Sequence, residues 1–425
     1  MAGHKKWFRL DNAALLYPAV ASFRWSSGFR MSASLKDPVD PTILTEALRM
    51  TLKRFPTLKV RIRSGFFWHY LEEIPEFLTP VPEAGHPCYP FRLKGKPGHL
   101  LRVLYRENRI SVEFFHSLTD GTGGLMFLKT LVVQYLRLSG RSQVRFDHGA
   151  LDPSLPATAE ETRDEFVHMD LPRVRVSRTT TKAWHYPATR ELPYTLNTIA
   201  ASADADRIAE KARSYGVSVT VYLTSVLLYT AMLAQKASGT RRQKPLRVSV
   251  PINMRRFVST RTVRNFSSFV NPGIDPVLGE YTFPEICRSV KAFMAYFADP
   301  KLLKATIATN VGDQKHPILR LAPLFIKDLC ISSVFRRTGE KLFTTTLSNL
   351  GVIEFPTGTE AFVESFEFQL GGPGRPGWNV ACSTCGNALR LLFSGTCKER
   401  ELPRDMLRFL VEEGIPVSVE SNDEE

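Results

Sequence analysis

The 425-residue chain lacks the roughly 18 to 20 uninterrupted apolar residues that a membrane span requires. The nearest approach, residues 217–234, is broken by Ser218, Thr220, Thr224, Ser225 and Thr230 and reads as a buried helix. The basic start, Met1 to Lys6, is not followed by the apolar core and small-residue cleavage site of a secretory signal, so a cytoplasmic protein is expected. Cysteine is scarce: six residues dispersed over a long chain exclude a disulfide scaffold. Cys382-Ser383-Thr384-Cys385 stands alone, without the second pair or spaced histidines a zinc site needs, so no metal is expected. The chain also lacks a GxSxG elbow, an HExxH helix, a GxGxxG turn after a strand, and the P-loop spacing with its lysine. No internal repeat or low-complexity tract is present.

What the chain does have is positive charge: 56 basic against 42 acidic residues, a net of +14. The basic residues are scattered, with only short clusters such as Arg241-Arg242 with Lys244 and Arg255-Arg256, and no nucleic-acid-binding motif accompanies them. Nucleic acid is therefore not the expected partner. A solvated basic surface accounts for most of the basic residues, and attraction of a small polyanionic co-substrate is the functional reading of the charge.

Length and a 43% hydrophobic content suit two domains of about 200 residues. The pattern divides at 1–150, a crossover at 151–192 rich in proline and acid, and 193–425. In the first span, strands are expected at 23–35, 58–63, 66–71, 100–105 and 109–116. The last two form a hairpin about Glu107-Asn108, and a helix starts at Asp40-Pro41 and ends at Pro56. The second span reads as helices at 203–215, 219–235, 284–297 and 318–336, with strands at 194–200, 247–250, 342–347, 361–369, 378–384 and 388–393. Strands and helices mix in both halves, which makes the class α/β (α+β).

The chemistry concentrates in His116-Ser117-Leu118-Thr119-Asp120-Gly121. Ile110, Val112, Phe114 and His116 share one strand face by the two-residue period, which turns His116 toward an interior. Asp120-Gly121-Thr122-Gly123-Gly124 gives the backbone a sharp turn, and Leu125, Leu128, Val132, Tyr135 and Leu136 follow at helical spacing. A neutral imidazole, with an ordinary pKa of about 6.5, is the side chain best suited to take a proton from an alcohol or amine near neutral pH.

The hexapeptide resembles the HxxxDG signature of the chloramphenicol-acetyltransferase-like superfamily. Accompanying segments are similar to those of stand-alone alcohol acetyltransferases and condensation-type proteins: the Ser/Thr-spiced buried helix, Val250-Pro251-Ile252-Asn253-Met254-Arg255, Arg264-Asn265-Phe266 and Leu347-Ser348-Asn349-Leu350-Gly351. The resemblance implies two similar halves, each with a mixed, mainly antiparallel sheet and helices, and a tunnel at their interface with the histidine midway. It also implies an acyl-coenzyme A donor used as co-substrate rather than a tightly bound cofactor. His116 would then be the general base for direct transfer to an alcohol or amine, and Asp120 a structural residue paired with an arginine, for which Arg255 is the candidate. Gly121 would let the backbone pass close to the tunnel. Ser348 and Asn349 are candidate oxyanion donors, or equally a turn that closes the second sheet. The alternatives are an acyl donor carried by a separate carrier protein, and a non-catalytic relative that binds a lipid, a partner or nucleic acid.

Overall fold

A computed structural model describes residues 6–22, 25–95, 98–174, 176, 181–240, 242–315 and 320–422. The first half runs β1 (Trp7–Arg9), α1 (Leu16–Val20), β2 (Gly28–Leu35), α2 (Pro41–Arg54), β3 (Val60–Ser64), β4 (His69–Glu73), β5 (Val81–Pro82), β6 (Leu101–Arg106), β7 (Arg109–Phe115) and α3 (Gly121–Leu138). Two short helices, α4 (Ala159–Thr162) and α5 (Glu165–His168), lie in the crossover. The second half comprises β8 (Asn197–Asp204), α6 (Ala205–Ser214), α7 (Val219–Ala237), β9 (Leu246–Asn253), β10 (Ser267–Val270), β11 (Gly273–Ile274), α8 (Phe283–Phe297), α9 (Pro300–Lys315) and α10 (Leu324–Thr338). It continues with β12 (Thr345–Val352), β13 (Val363–Leu370), β14 (Trp378–Cys385), β15 (Ala388–Gly395), α11 (Glu401–Glu412) and β16 (Val417–Ser421).

These strands form two mixed, mainly antiparallel sheets and one small one. A five-stranded sheet has the order β13-β2-β7-β6-β5, and an eight-stranded sheet the order β10-β9-β12-β14-β15-β8-β16 with β11 beside β9. Among the described residues only β5–β6, β9–β12 and β12–β14 pair in parallel. The small sheet is β1-β4-β3. The halves are stitched together by β13, which leaves the second half of the sequence to pair antiparallel with β2 from Val363↔Leu35 to Leu370↔Phe29. Its Val363, Phe366 and Phe368 bury in the core of the first half.

Local chemistry explains the elements that carry the site. Asp40 caps α2 by accepting from the Thr42 and Ile43 N–H groups, Pro41 opens the helix, and Leu44, Ala47, Leu48 and Leu52 face inward. The β6–β7 hairpin turns at Glu107, whose φ is +49°, and Asn108. Strand β7 is central and buried on both faces, so its one acid, Glu113, is neutralised by Arg30 at 2.7 Å and Arg102 at 3.2 Å. Helix α7 is the buried helix of the second core, its Thr224, Ser225 and Thr230 hydroxyls donating to carbonyls one turn back. Among the described residues no single helix is long and apolar enough to cross a membrane.

Several elements depart from the sequence reading. The strand expected at 66–71 starts at His69, because Gly65 N–H bonds the Trp68 carbonyl at 3.0 Å and turns Phe66 and Phe67 outward. Ser348 and Asn349 sit within β12, not in a turn. Helix α10 starts only after Pro323, and residues 23–24 and 318–319 of the expected elements lie outside the described residues. Helix α9, unread in the sequence, is started by Asp299, whose carboxylate accepts from the Lys301 and Leu302 N–H groups. Cys382 and Cys385 are free and buried in β14, beside the two-residue Gly386-Asn387 turn. No metal-holding cluster exists among the described residues.

Candidate active site

His116 emerges one residue past β7, its N–H donating to the Ser27 carbonyl at 2.9 Å. The imidazole is stacked on Tyr17 of α1 with centroids 4.5 Å apart and rings 12° from parallel, and meets the edge of Phe29 at 5.1 Å. Nδ1 lies 3.1 Å from Asn265 Oδ1, whereas Nε2 has no hydrogen-bond partner among the described residues. The ring is only partly buried by surface area, yet burial is still the leading influence on it and holds its pKa below the ordinary 6.5, opposed first by a hydrogen bond of the ring with its own backbone and then by Asp120 and the Asn265 hydrogen bond. The imidazole is thus neutral at pH 7.

Asp120 is turned away from that ring. Its Oδ1 accepts from Gly123 N–H at 3.0 Å, which caps α3, and its Oδ2 accepts from Phe266 N–H at 2.7 Å and from Arg255 Nη1 at 2.8 Å. Burial alone would push this carboxyl up, but the Arg255 guanidinium and the two backbone donors outweigh it and keep Asp120 below 3.8. Arg255 reaches it from the turn after β9 and also donates to the Thr262 carbonyl at 3.0 Å and the Arg264 carbonyl at 2.6 Å. Thr119 Oγ1 donates to the Val263 carbonyl at 2.6 Å, and Asn253 Nδ2 donates to Thr122 Oγ1 at 3.0 Å. The hexapeptide of the first half is therefore bolted to the 253–266 segment of the second.

Gly121 and Gly123 differ in the room they have. A Cβ at Gly121 would meet the end of the Leu350 side chain at 2.9 Å. At Gly123 it would lie 2.2 Å from both Thr119 Oγ1 and the Val263 carbonyl oxygen, so only a bare backbone fits where the halves meet. Asn349 donates from its amide to Thr220 Oγ1 at 3.1 Å and accepts from Gly351 N–H at 2.7 Å, and Ser348 is buried in the same strand. No hydrogen bond joins either residue to His116 among the described residues.

A cavity of about 180 Å³ lies where the first half, the crossover and the second half converge, lined by residues including Ser26, Cys88, Tyr89, Arg190, Tyr194 and Thr396. His116 is not in its lining, although Ser26 adjoins the Ser27 carbonyl that holds the His116 N–H.

Two further residues, unmarked in the sequence as site residues, complete the histidine's surroundings. Asn265 stands in the quoted Arg264-Asn265-Phe266 segment, and its Nδ2 donates to Asp11 Oδ2 at 3.2 Å. Asp11 is fully buried, accepts from Ala14 N–H at 2.8 Å and lies 3.5 Å from Arg264. It is 254 residues from Asn265, with no motif to link the two.

No protein-family model matches the sequence, and no curated relative does. Solved structures do match, over nearly the whole chain. TRI101 of Fusarium sporotrichioides, complexed with coenzyme A and T-2, has a TM-score of 0.64 at 13% identity, covering 94% of this chain and 97% of that one. The chain has the chloramphenicol-acetyltransferase-like fold. TRI3 trichothecene 15-O-acetyltransferase of the same organism matches with a TM-score of 0.61 at 11% identity, covering 97% and 95% of the two chains. The first condensation domain of the calcium-dependent antibiotic synthetase matches with a TM-score of 0.59 at 16% identity, covering 94% and 93%. In this fold the hexapeptide lies at the junction of the halves.

Proposed function

We propose that the protein is an acyltransferase that moves an acyl group from a coenzyme A thioester to an alcohol or amine, with His116 as general base. The observation that carries this reading is the His116 imidazole at the junction of the two halves, with Nδ1 engaged by Asn265, Nε2 without a hydrogen-bond partner among the described residues, and burial lowering its pKa. As the acceptor oxygen or nitrogen bonds to the thioester carbon, Nε2 takes its proton. When the tetrahedral intermediate collapses and the carbon–sulfur bond breaks, the same nitrogen returns the proton to the thiolate, releasing free coenzyme A. Such help is worth roughly 10² to 10⁴ in rate. Asp120 and Arg255 hold the strand–turn–helix in place without touching the reactants. Ser348 and Asn349 remain candidate oxyanion donors, Asn349 through the amide hydrogen not given to Thr220. The coenzyme A complex of TRI101 and the net charge of +14 both support an anionic thioester donor.

The condensation-domain neighbour supports a second reading, in which the donor thioester arrives on a separate carrier protein. One experiment addresses both: the protein is incubated with acyl-coenzyme A, or with an acylated carrier, and a panel of alcohols and amines, and free thiol is followed. Thiol release that His116→Ala lowers by about 10² or more, with its circular dichroism unchanged, supports base catalysis. Release unaffected by that substitution overturns it, and salt-sensitive nucleic-acid binding without release would favour a binding protein.

A further inference from the structure

We propose that Asp11 and Asn265 are positioning residues: Asp11 orients the Asn265 carboxamide, the carboxamide fixes the His116 proton on Nδ1, and the Nε2 lone pair is thereby left for the acceptor. This inference rests on the acyltransferase reading for its purpose, but not for its geometry.

The argument is one of donors and acceptors. An ionised carboxylate only accepts hydrogen bonds, so the carboxamide end 3.2 Å from Asp11 Oδ2 is the NH₂ group. Its oxygen then faces the ring, 3.1 Å from Nδ1, and an oxygen at that distance requires a proton on Nδ1. The ring also has a hydrogen bond with its own backbone, and substitution of Asp11 tests whether the carboxamide or that bond governs. A neutral imidazole carries one N–H, so Nε2 is bare. Asp11 is itself fixed by Ala14 N–H at 2.8 Å and by Arg264, whose guanidinium also donates to the Arg9 carbonyl at 2.5 Å.

The charged groups around this chain of bonds are few. Around His116 stand Tyr17, stacked on the ring, and Asp120, already paired with Arg255; around Asp11 stand Arg264, Asp164 and Tyr17. Burial pushes Asp11 up to about 7 against the pull of Arg264, so the carboxylate state prevails at mildly alkaline pH. The three links come from the N-terminal segment, the end of β7 and the stretch before β10. The tautomer is therefore set only when the two halves are docked.

The test reads the tautomer directly. The full-length protein is labelled with nitrogen-15 histidine, its spectrum is recorded at about pH 8, and the His116 signals are identified by their loss in His116→Gln. The wild type is expected to show a protonated Nδ1 and a bare Nε2. In Asp11→Asn the new side chain keeps its oxygen on Ala14 N–H and turns an NH₂ toward Asn265. That inverts the Asn265 carboxamide and moves the ring proton to Nε2. The kcat of acyl transfer should then fall at least about 10-fold. The loss could approach the roughly 10⁴-fold that follows when the aspartate setting the histidine tautomer of a serine protease becomes asparagine.

The double variant Asp11→Asn with Asn265→Asp places an acceptor-only group against Nδ1, so it should restore the Nδ1–H tautomer. It should also move the acid limb of kcat/KM to higher pH, since a carboxylate beside the ring favours the imidazolium. A wild-type ring protonated on Nε2, or an unchanged tautomer in folded Asp11→Asn, overturns the proposal. Absence of acyl transfer by the wild type with every donor would instead sink the acyltransferase reading, while the spectra still decide the tautomer.

Discussion

Two buried aspartates flank the motif histidine and behave in opposite ways. Asp120 and Asp11 are at most 3% exposed, and each has an arginine and at least one backbone N–H within reach. Asp120 has its arginine at 2.8 Å and two backbone donors, and is held ionised below 3.8; Asp11 has its arginine at 3.5 Å and one backbone donor, and is pushed up to about 7. Burial charges each carboxylate a desolvation penalty, and the closeness of the compensating donors decides the sign. The Asp120 end of the motif is built for rigidity. The His116 end, which Asp11 reaches through Asn265, leaves one nitrogen uncommitted.

Breaking the rigid end should have the largest effect on stability. Asp120→Ala leaves the Arg255 guanidinium buried beside a vacancy and uncaps α3, which should cost about 3–5 kcal/mol in urea unfolding. Exchanging the two residues, Asp120→Arg with Arg255→Asp, should not recover this loss. A guanidinium cannot accept from the Gly123 and Phe266 N–H groups that the carboxylate serves. Recovery by the exchanged pair would show that charge attraction alone holds the junction.

How much of this was legible in the sequence follows from distance along the chain. The β6–β7 hairpin, the Asp40-Pro41 helix start and the strand–turn–helix around His116 are set by neighbours a few residues apart, and periodicity and capping residues reveal them. The two-half α/β architecture anticipated from the hexapeptide and its accompanying segments is the one found. The pairing of β13 with the sequence-distant β2, at the edge of the first half's sheet, was not legible, because an alternating strand says nothing of which sheet receives it. Asp11 was invisible for the same reason: a lone acid in Leu10-Asp11-Asn12 gains meaning only through an asparagine 254 residues away. Ser348 and Asn349 looked like a turn because Ser, Asn and Gly favour turns, but parallel pairing with β14 keeps them extended, and the irregularity falls between Asn349 and Val352.

The two motif glycines sharpen the contrast at smaller cost. Gly123→Ala would drive a methyl group into the Val263 carbonyl, a backbone atom that can move only if the halves part, and should lower stability by about 1–3 kcal/mol. Gly121→Ala meets only the flexible end of Leu350 and gains helix propensity worth up to about 1 kcal/mol, so its unfolding midpoint should stay close to that of the wild type. Equal losses in the two variants would mean that the junction around Gly123 is looser than its contacts indicate.

The smallest effect separates the two aspartates by pH. Asp120, with its folded-state pKa below 3.8, contributes stability that is present above that value and lost as acid protonates it. Asp11 runs the other way. With a folded-state pKa raised from 3.8 to about 7, the folded protein holds a proton that the unfolded chain has released, and stability from this group is lost as pH rises through that window. Asp11→Asn removes the titration and leaves Arg264 without its partner, but arginine stays charged throughout, so that loss is a constant offset. The stability difference between Asp11→Asn and wild type, measured by urea unfolding at about pH 5 and again at about pH 8, should therefore shift in favour of the variant at the higher pH. A difference independent of pH would mean that Asp11 ionises normally, and that its donors compensate burial as fully as those around Asp120 do.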